Sequence, residues 1–189
     1  MDCIGNDVVW LADPSNWRRS ADSRLVSRIL TPEERAFLAG SIEPDRCLWS
    51  LWAAKEAGFK AWVQAHPGSV FSPSSYEVVP ASPDGPLTSG RVVHKGESFP
   101  VVWSHGSDWV NAVAAHDQNT IVSRVEARSG NASEAVRNLA VELLTASGFP
   151  RGRVDGRPPR YTVDGQEFTL GLSLSHDGPY FSVAFRCLR

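Results

Sequence analysis

The chain begins with a short apolar run that carries one acid, Ile4-Gly5-Asn6-Asp7-Val8-Val9-Trp10, and this pattern predicts a strand over residues 3–10. Asp13-Pro14-Ser15 is a helix-start signal, and helical stretches are predicted near 15–29 and 32–39. A long helix is predicted over about 44–63, where Leu48, Leu51, Ala54, Gly58 and Ala61 are apolar or small, so it is expected to be largely buried. Beyond Pro67-Gly68 the texture changes. Short runs at 76–79, 91–93, 99–103 and 108–113 read as strands between Pro, Gly and Ser turns, with a loop from Pro80 to Gly90. A strand over 120–127 and a helix near 132–147 follow, the helix carrying apolar Ala135, Val136, Leu139, Ala140, Leu143 and Leu144. Strands are predicted at 160–163, 168–175 and 180–185.

The long helix carries the first candidate chemistry. Positions four apart share a helix face, so Trp52, Glu56 and Lys60 form one stripe of aromatic, acid and base. Charges on a buried helix are costly unless paired, and a cation on Glu56 with a phosphate on Lys60 would pair them. The alternative is an ordinary surface pair, stabilising by roughly 0.2–0.5 kcal/mol.

Composition narrows the class. The 189 residues are 42% hydrophobic and 21% charged, ordinary globular usage for one domain or a fused pair of small ones. A net charge of −2 offers no basic excess for neutralising nucleic-acid phosphates. Cys3, Cys47 and Cys187 fit no metal spacing and suggest reduced thiols in a cytoplasmic protein. Asp2 and Asp7 do not fit a signal peptide. No apolar run approaches the ~20 residues that span a bilayer, so no membrane association is expected.

The chain echoes itself. Trp103-Ser104-His105-Gly106 leads into Val110-Asn111-Ala112-Val113, and Leu174-Ser175-His176-Asp177 leads into Phe181-Ser182-Val183-Ala184. Both read as strand, Ser-His turn, strand, which a duplication would explain. The expected architecture is α+β, with two pseudo-repeated halves at 1–117 and 118–189, each packing helices on a small antiparallel sheet.

Four segments in this order resemble the 4′-phosphopantetheinyl transferases: Gly5-Asn6-Asp7-Val8, Leu30-Thr31-Pro32-Glu33-Glu34, the block from Trp52 through Lys55-Glu56-Ala57 to Lys60, and Ser175-His176. The family's marks are a Gly-x-Asp strand, a Leu-Thr-x-x-Glu helix start, a Lys-Glu-Ala-x-x-Lys helix and a Ser-His turn. Residues 1–115 look more like the short holo-acyl-carrier-protein synthase branch, which assembles as a trimer with sites between subunits. The segment from Arg137 through Gly156-Arg157-Pro158 to Ser175-His176 is similar to the first half of the longer, single-chain branch. The halves therefore read as swapped, and a monomer with one site between its own halves is expected.

The resemblance implies transfer of phosphopantetheine from coenzyme A to a serine of an acyl or peptidyl carrier protein of fatty-acid, polyketide or nonribosomal-peptide synthesis. It implies Asp7, Glu56 and Lys60 as catalytic residues, with Asp7 and Glu56 holding Mg2+. Val9 stands where a second acid occurs in the long branch, so water is expected to complete the shell. Lys55, Arg137, Arg157, Ser175 and His176 are implied as coenzyme-binding. Arg151, Arg153, Arg157 and Arg160 are either a solvated loop or a dock for the 3′-phosphate, and Arg18, Arg19, Arg24 and Arg28 either a solvated face or the carrier contact. A second reading is a non-catalytic module that binds coenzyme A or a carrier.

Overall fold

The computed structural model describes residues 3–82 and 85–186; Cys187, and Pro83 and Asp84 of the expected loop, lie outside them. Strand β1 (Ile4–Trp10) pairs antiparallel with β5 (Trp109–Ala115), and the sheet continues through β4 (Glu97–His105) and β3 (Ser89–His94) to β2 (Glu77–Pro80). A second sheet has the order β10 (Leu172–Asp177), β11 (Tyr180–Arg186), β6 (Ile121–Ala127). A third small sheet joins β7 (Arg153–Asp155), β8 (Arg160–Val163) and β9 (Gln166–Phe168). Every pairing is antiparallel, so the architecture is α+β.

Helices cover these sheets. Helix α1 (Ser23–Ile29) and helix α2 (Pro32–Ala39) lead into α3 (Pro44–Ala65), which packs on the five-stranded sheet, above all over β1 and β5. Helix α4 (Ala132–Ala146) packs on β10, β11 and β7. Leu48, Leu51, Ala54, Ala57 and Ala61 of α3 anchor one core with Val92, Phe99 and Val110 of the sheet. Leu139, Leu143 and Leu144 of α4 anchor another with Phe181, Val183 and Phe185. Ile4, Val113, Ala115 and Ala184 form a smaller cluster of their own. Among the described residues, no helix is long and apolar enough to cross a membrane.

Helix α2 shows how a short motif acts locally. Thr31 caps it, with its hydroxyl accepting from Glu34 N–H while the Glu34 carboxylate accepts from Thr31 N–H, and Pro32 stands in the first turn.

Three expectations are corrected. The helical stretch near 15–29 is broken into two 3-10 turns, Pro14–Asn16 and Arg19–Ala21, before α1 begins. Trp17 is extended and Arg18 is left-handed at φ 54°, while the Asp45 carboxylate accepts from Arg18 and Ser20 N–H and holds the break. The strand expected over 168–175 is two strands, β9 and β10. Residues 153–155, read within the arginine segment, form β7.

Candidate active site

Helix α3 lies directly on β1, and Gly5 permits the approach. A Cβ at Gly5 would stand 1.9 Å from the Ala57 carbonyl oxygen and 2.7 Å from Ala61 N. With the two backbones so close, the Trp52-Glu56-Lys60 stripe runs along β1. Lys60 Nζ donates to the Asn6 carbonyl at 2.9 Å and to Asp7 Oδ1 at 2.8 Å. One turn further, Gln64 bonds both the N–H (3.0 Å) and the carbonyl (2.8 Å) of Ile4.

The other partner of this edge comes from far along the chain. In place of backbone carbonyls, three alternate side chains of β10 accept the outward N–H groups of β1. Ser173 Oγ accepts from Asn6 at 2.9 Å, Ser175 Oγ from Val8 at 3.3 Å and Asp177 Oδ2 from Trp10 at 2.8 Å. Alternate strand residues point to one face, so a single strand supplies all three. Edge N–H groups must find acceptors, and here side chains supply them. The Ser175 hydroxyl also donates to Asp7 Oδ1 at 2.8 Å.

A cleft of about 490 Å³ opens along this seam, lined by Asp7, Trp49, Trp52, Glu56 and Lys60 from one side and by Ser175, His176 and Asp177 from the other. Burial pushes the Glu56 carboxyl up to about 7, the nearby charge of Asp7 adds to the push, and Lys60 opposes it. Asp177 is also raised, chiefly by burial, with its Trp10 N–H bond pulling the other way. His176 is exposed at the rim.

Not every candidate reaches the cleft. Lys55 is corrected: it is fully buried, 2.7 Å from Glu34 Oε1, and donates to the carbonyls of Pro73 and Tyr76. It fastens α3 to α2 and to the turn before β2. Arg137 is held on its own helix by Ser133 and reaches the Gly156 carbonyl at 3.4 Å, while Arg157 is exposed; neither lines the cleft. Arg153 pairs with Asp155 at 2.8 Å and Arg160 with Glu167 at 3.6 Å, both at the surface. Sequence reasoning missed Trp49, Asp13 and Asp177 as lining residues and Ser173 as part of the seam. The alternation Ser173-x-Ser175-x-Asp177 was the available signal, but the predicted strand stopped at 175 and left Asp177 in the turn.

Fold and site together define an α+β protein whose polar cleft sits at the seam of two sheets, with Asp7, Glu56 and Lys60 facing Ser175 and His176 at the end of strand β10. The family model for the 4′-phosphopantetheinyl transferase superfamily matches residues 3–114, and the chain belongs to that family. It is similar to a holo-[acyl-carrier-protein] synthase of Shewanella frigidimarina (strain NCIMB 400), with 43% identity over 58 residues. That match spans 31% of this chain and 46% of the relative, about half its length. It is also similar to a Thermotoga maritima holo-[acyl-carrier-protein] synthase crystal structure, at 21% identity and a TM-score of 0.45, over 88% of this chain and 82% of that one.

Proposed function

We propose that this chain transfers the 4′-phosphopantetheine group of coenzyme A to a serine of an acyl or peptidyl carrier protein, with Mg2+, at the cleft between its own two halves. One observation carries the reading: Asp7, Glu56 and Lys60 share a cleft with Ser175 and His176 from the far end of the chain.

The acid pair fits a hard cation. Mg2+ takes one or two carboxylates and leaves the rest of its shell to water and substrate phosphates. Asp7 Oδ1 is occupied by Lys60 and Ser175, while Oδ2 has no hydrogen-bond partner among the described residues. The Asp7 charge that helps raise Glu56 is a repulsion a bound cation relieves. Val9 supplies no acid two residues beyond Asp7, so water would complete the shell of a cation held by Asp7 and Glu56. When bound, the cation neutralises pyrophosphate charge as the transfer proceeds.

The chain's own residues do the rest. Lys60 and His176 take phosphate oxygens from opposite walls. Glu56 faces the same cleft and would accept the carrier serine's proton, directly or through one water. The serine oxygen bonds to the phosphorus bearing the pantetheine, the bond from that phosphorus to the bridging oxygen breaks, and adenosine 3′,5′-bisphosphate leaves. Arg24 and Arg28 are exposed one turn apart on α1 and suit an acidic carrier. The matching register of the two Ser-His hairpins supports duplication, and the cross-half seam supports a monomer with one site.

Mass spectrometry of a panel of carrier proteins incubated with this chain, coenzyme A and Mg2+ tests the reading. The expected result is a gain of one phosphopantetheine on at least one carrier. Coenzyme binding with no mass gain on any carrier would make the chain a binding module instead.

A further inference from the structure

The resemblance gives Ser175 to the coenzyme, but its hydroxyl is already engaged. It is 7% exposed, donates to Asp7 Oδ1 at 2.8 Å and accepts from Val8 N–H at 3.3 Å. A hydroxyl has one proton to donate, and this one is spent on a carboxylate. Lys60 donates to the same Oδ1 at 2.8 Å. Two donors on one oxygen fix the carboxylate's rotation and leave Oδ2 as the oxygen able to serve a ligand. Bonds from a donor to a carboxylate are charge-assisted and stronger than neutral ones.

We propose that Ser175 is a positioning residue for Asp7, holding Oδ1 at the seam between β1 and β10 so that Oδ2 is presented to the divalent cation, and that it does not bind the coenzyme. This inference rests on the cation reading above. It makes the seam between the halves part of the site's machinery, because a residue more than 160 positions away sets the posture of Asp7.

Ser173 supplies a matched control. It lies two residues earlier on β10, is 2% exposed, and accepts from Asn6 N–H at 2.9 Å as Ser175 does from Val8. Among the described residues, no bond joins its hydroxyl to a carboxylate. Ser173→Ala costs the seam one bond and Ser175→Ala two, the second being the one that holds Asp7.

The test is Mn2+ binding to the full chain, read by electron paramagnetic resonance without coenzyme or carrier, for the unchanged chain, Ser175→Ala and Ser173→Ala. Partners behind a metal ligand typically contribute about 10-fold in affinity. Ser175→Ala should weaken Mn2+ binding by about that factor and Ser173→Ala by less than about twofold, while thermal melts fall for both, further for Ser175→Ala, which loses two bonds. The Michaelis constant of Ser175→Ala for coenzyme A should stay near the parent's. Equal Mn2+ affinities in all three chains, or equal losses in both variants, overturn the inference. So does a raised Michaelis constant for coenzyme A with unchanged Mn2+ binding, which would return Ser175 to the coenzyme. If the unchanged chain binds no Mn2+, the cation reading itself falls and takes this inference with it. Should Ser175→Ala not fold, Ser175→Cys keeps the side chain's size with a weaker donor and carries the same comparison.

Discussion

The hairpins β4–β5 and β10–β11 share one cross-strand register. Ser104 stands opposite Asn111 and His105 opposite Val110; Ser175 stands opposite Ser182 and His176 opposite Phe181. The first hairpin accepts from the second half at Asp108 and Asn111, but its His105 and its turn are fastened within its own half. His105 Nε2 lies 2.7 Å from the Leu87 carbonyl, and Arg46 donates to the carbonyls of Gly106 and Ser107 at 3.1 and 2.8 Å. Gly106 sits under the Trp109 indole, where a Cβ would come within 2.1 Å. The second hairpin closes on β1. Gly178, at φ 52°, leaves no room for a Cβ against the Trp10 ring (2.2 Å), and its His176 is exposed to the cleft. The Ser-His pair expected as a turn thus ends a strand in both hairpins, β4 and β10, and its neighbour decides whether it fastens a loop or faces a ligand.

The two lysines of α3 repeat the lesson and give the largest expected effect. Lys55 is fully buried against Glu34, whereas the Lys60 side chain is 29% exposed at the cleft. Breaking a buried pair by removing one partner strands the other charge and costs about 3–5 kcal/mol. Lys55→Met should therefore lower the unfolding free energy by that amount, measured by urea denaturation. At a temperature where the variant is folded, its Michaelis constant for coenzyme A should match the parent's. A stable variant with weakened coenzyme binding would put Lys55 back in the site.

Asp7 sharpens the contrast from the other side, since the second hairpin matters through what it touches. Asp7→Ala should reduce transfer on the order of 10²–10³-fold, as loss of a central electrostatic group does. The fold should survive, because the Ser173 and Asp177 bonds to β1 remain. Near-normal turnover with Mg2+ in steady-state assays would remove Asp7 from the proposed mechanism.

What was legible in the sequence follows from range. Strand β1, helix α3 and both hairpins were visible because alternation and helical spacing are local, and Thr31-x-x-Glu34 announced its own cap. The break at Trp17–Arg18 was not visible because its cause, Asp45, lies 27 residues from Arg18. The seam roles of Ser173 and Asp177 arise only when β10 meets β1, a contact spanning 167 residues. Lys55 is a different case. Neighbouring helix residues are rotated by about 100°, so the spacing that unites Glu56 with Lys60 already sets Lys55 apart. Resemblance carried it into the site against that geometry.

The histidines test the hairpin comparison directly. His105→Ala removes a structural bond to Leu87 and should cost about 1 kcal/mol of stability, leaving coenzyme kinetics unchanged. His176→Ala should do the reverse, raising the Michaelis constant for coenzyme A about 10-fold, the size of one charge-assisted contact, with little change in melting. If the two variants gave the same kinetic profile, the hairpins would not be divided as described.

The smallest effect concerns Glu56 in the metal-free chain, and it carries a sign. Burial, then Asp7, lifts its carboxyl from 4.5 to about 7, against the pull of Lys60. A raised acid holds its proton more tightly folded than unfolded. Between about 4.5 and 7 the unfolded chain has released a proton that the folded chain keeps, so this group's contribution to stability falls as pH rises through that window. Glu56→Gln removes the term. Relative to the parent, the variant should show little difference near the bottom of the window and gain stability up to a plateau above its top. The gain is on the order of 1 kcal/mol once the solvent reaching the cleft is allowed for. Adding Mg2+ at the high-pH end should stabilise the parent and not the variant, since only the parent keeps both carboxylates. The measurement is Tm against pH in chelator for both chains, repeated with Mg2+. A Tm difference flat across the window would show that Glu56 titrates as an ordinary surface acid, unaffected by its burial and by Asp7.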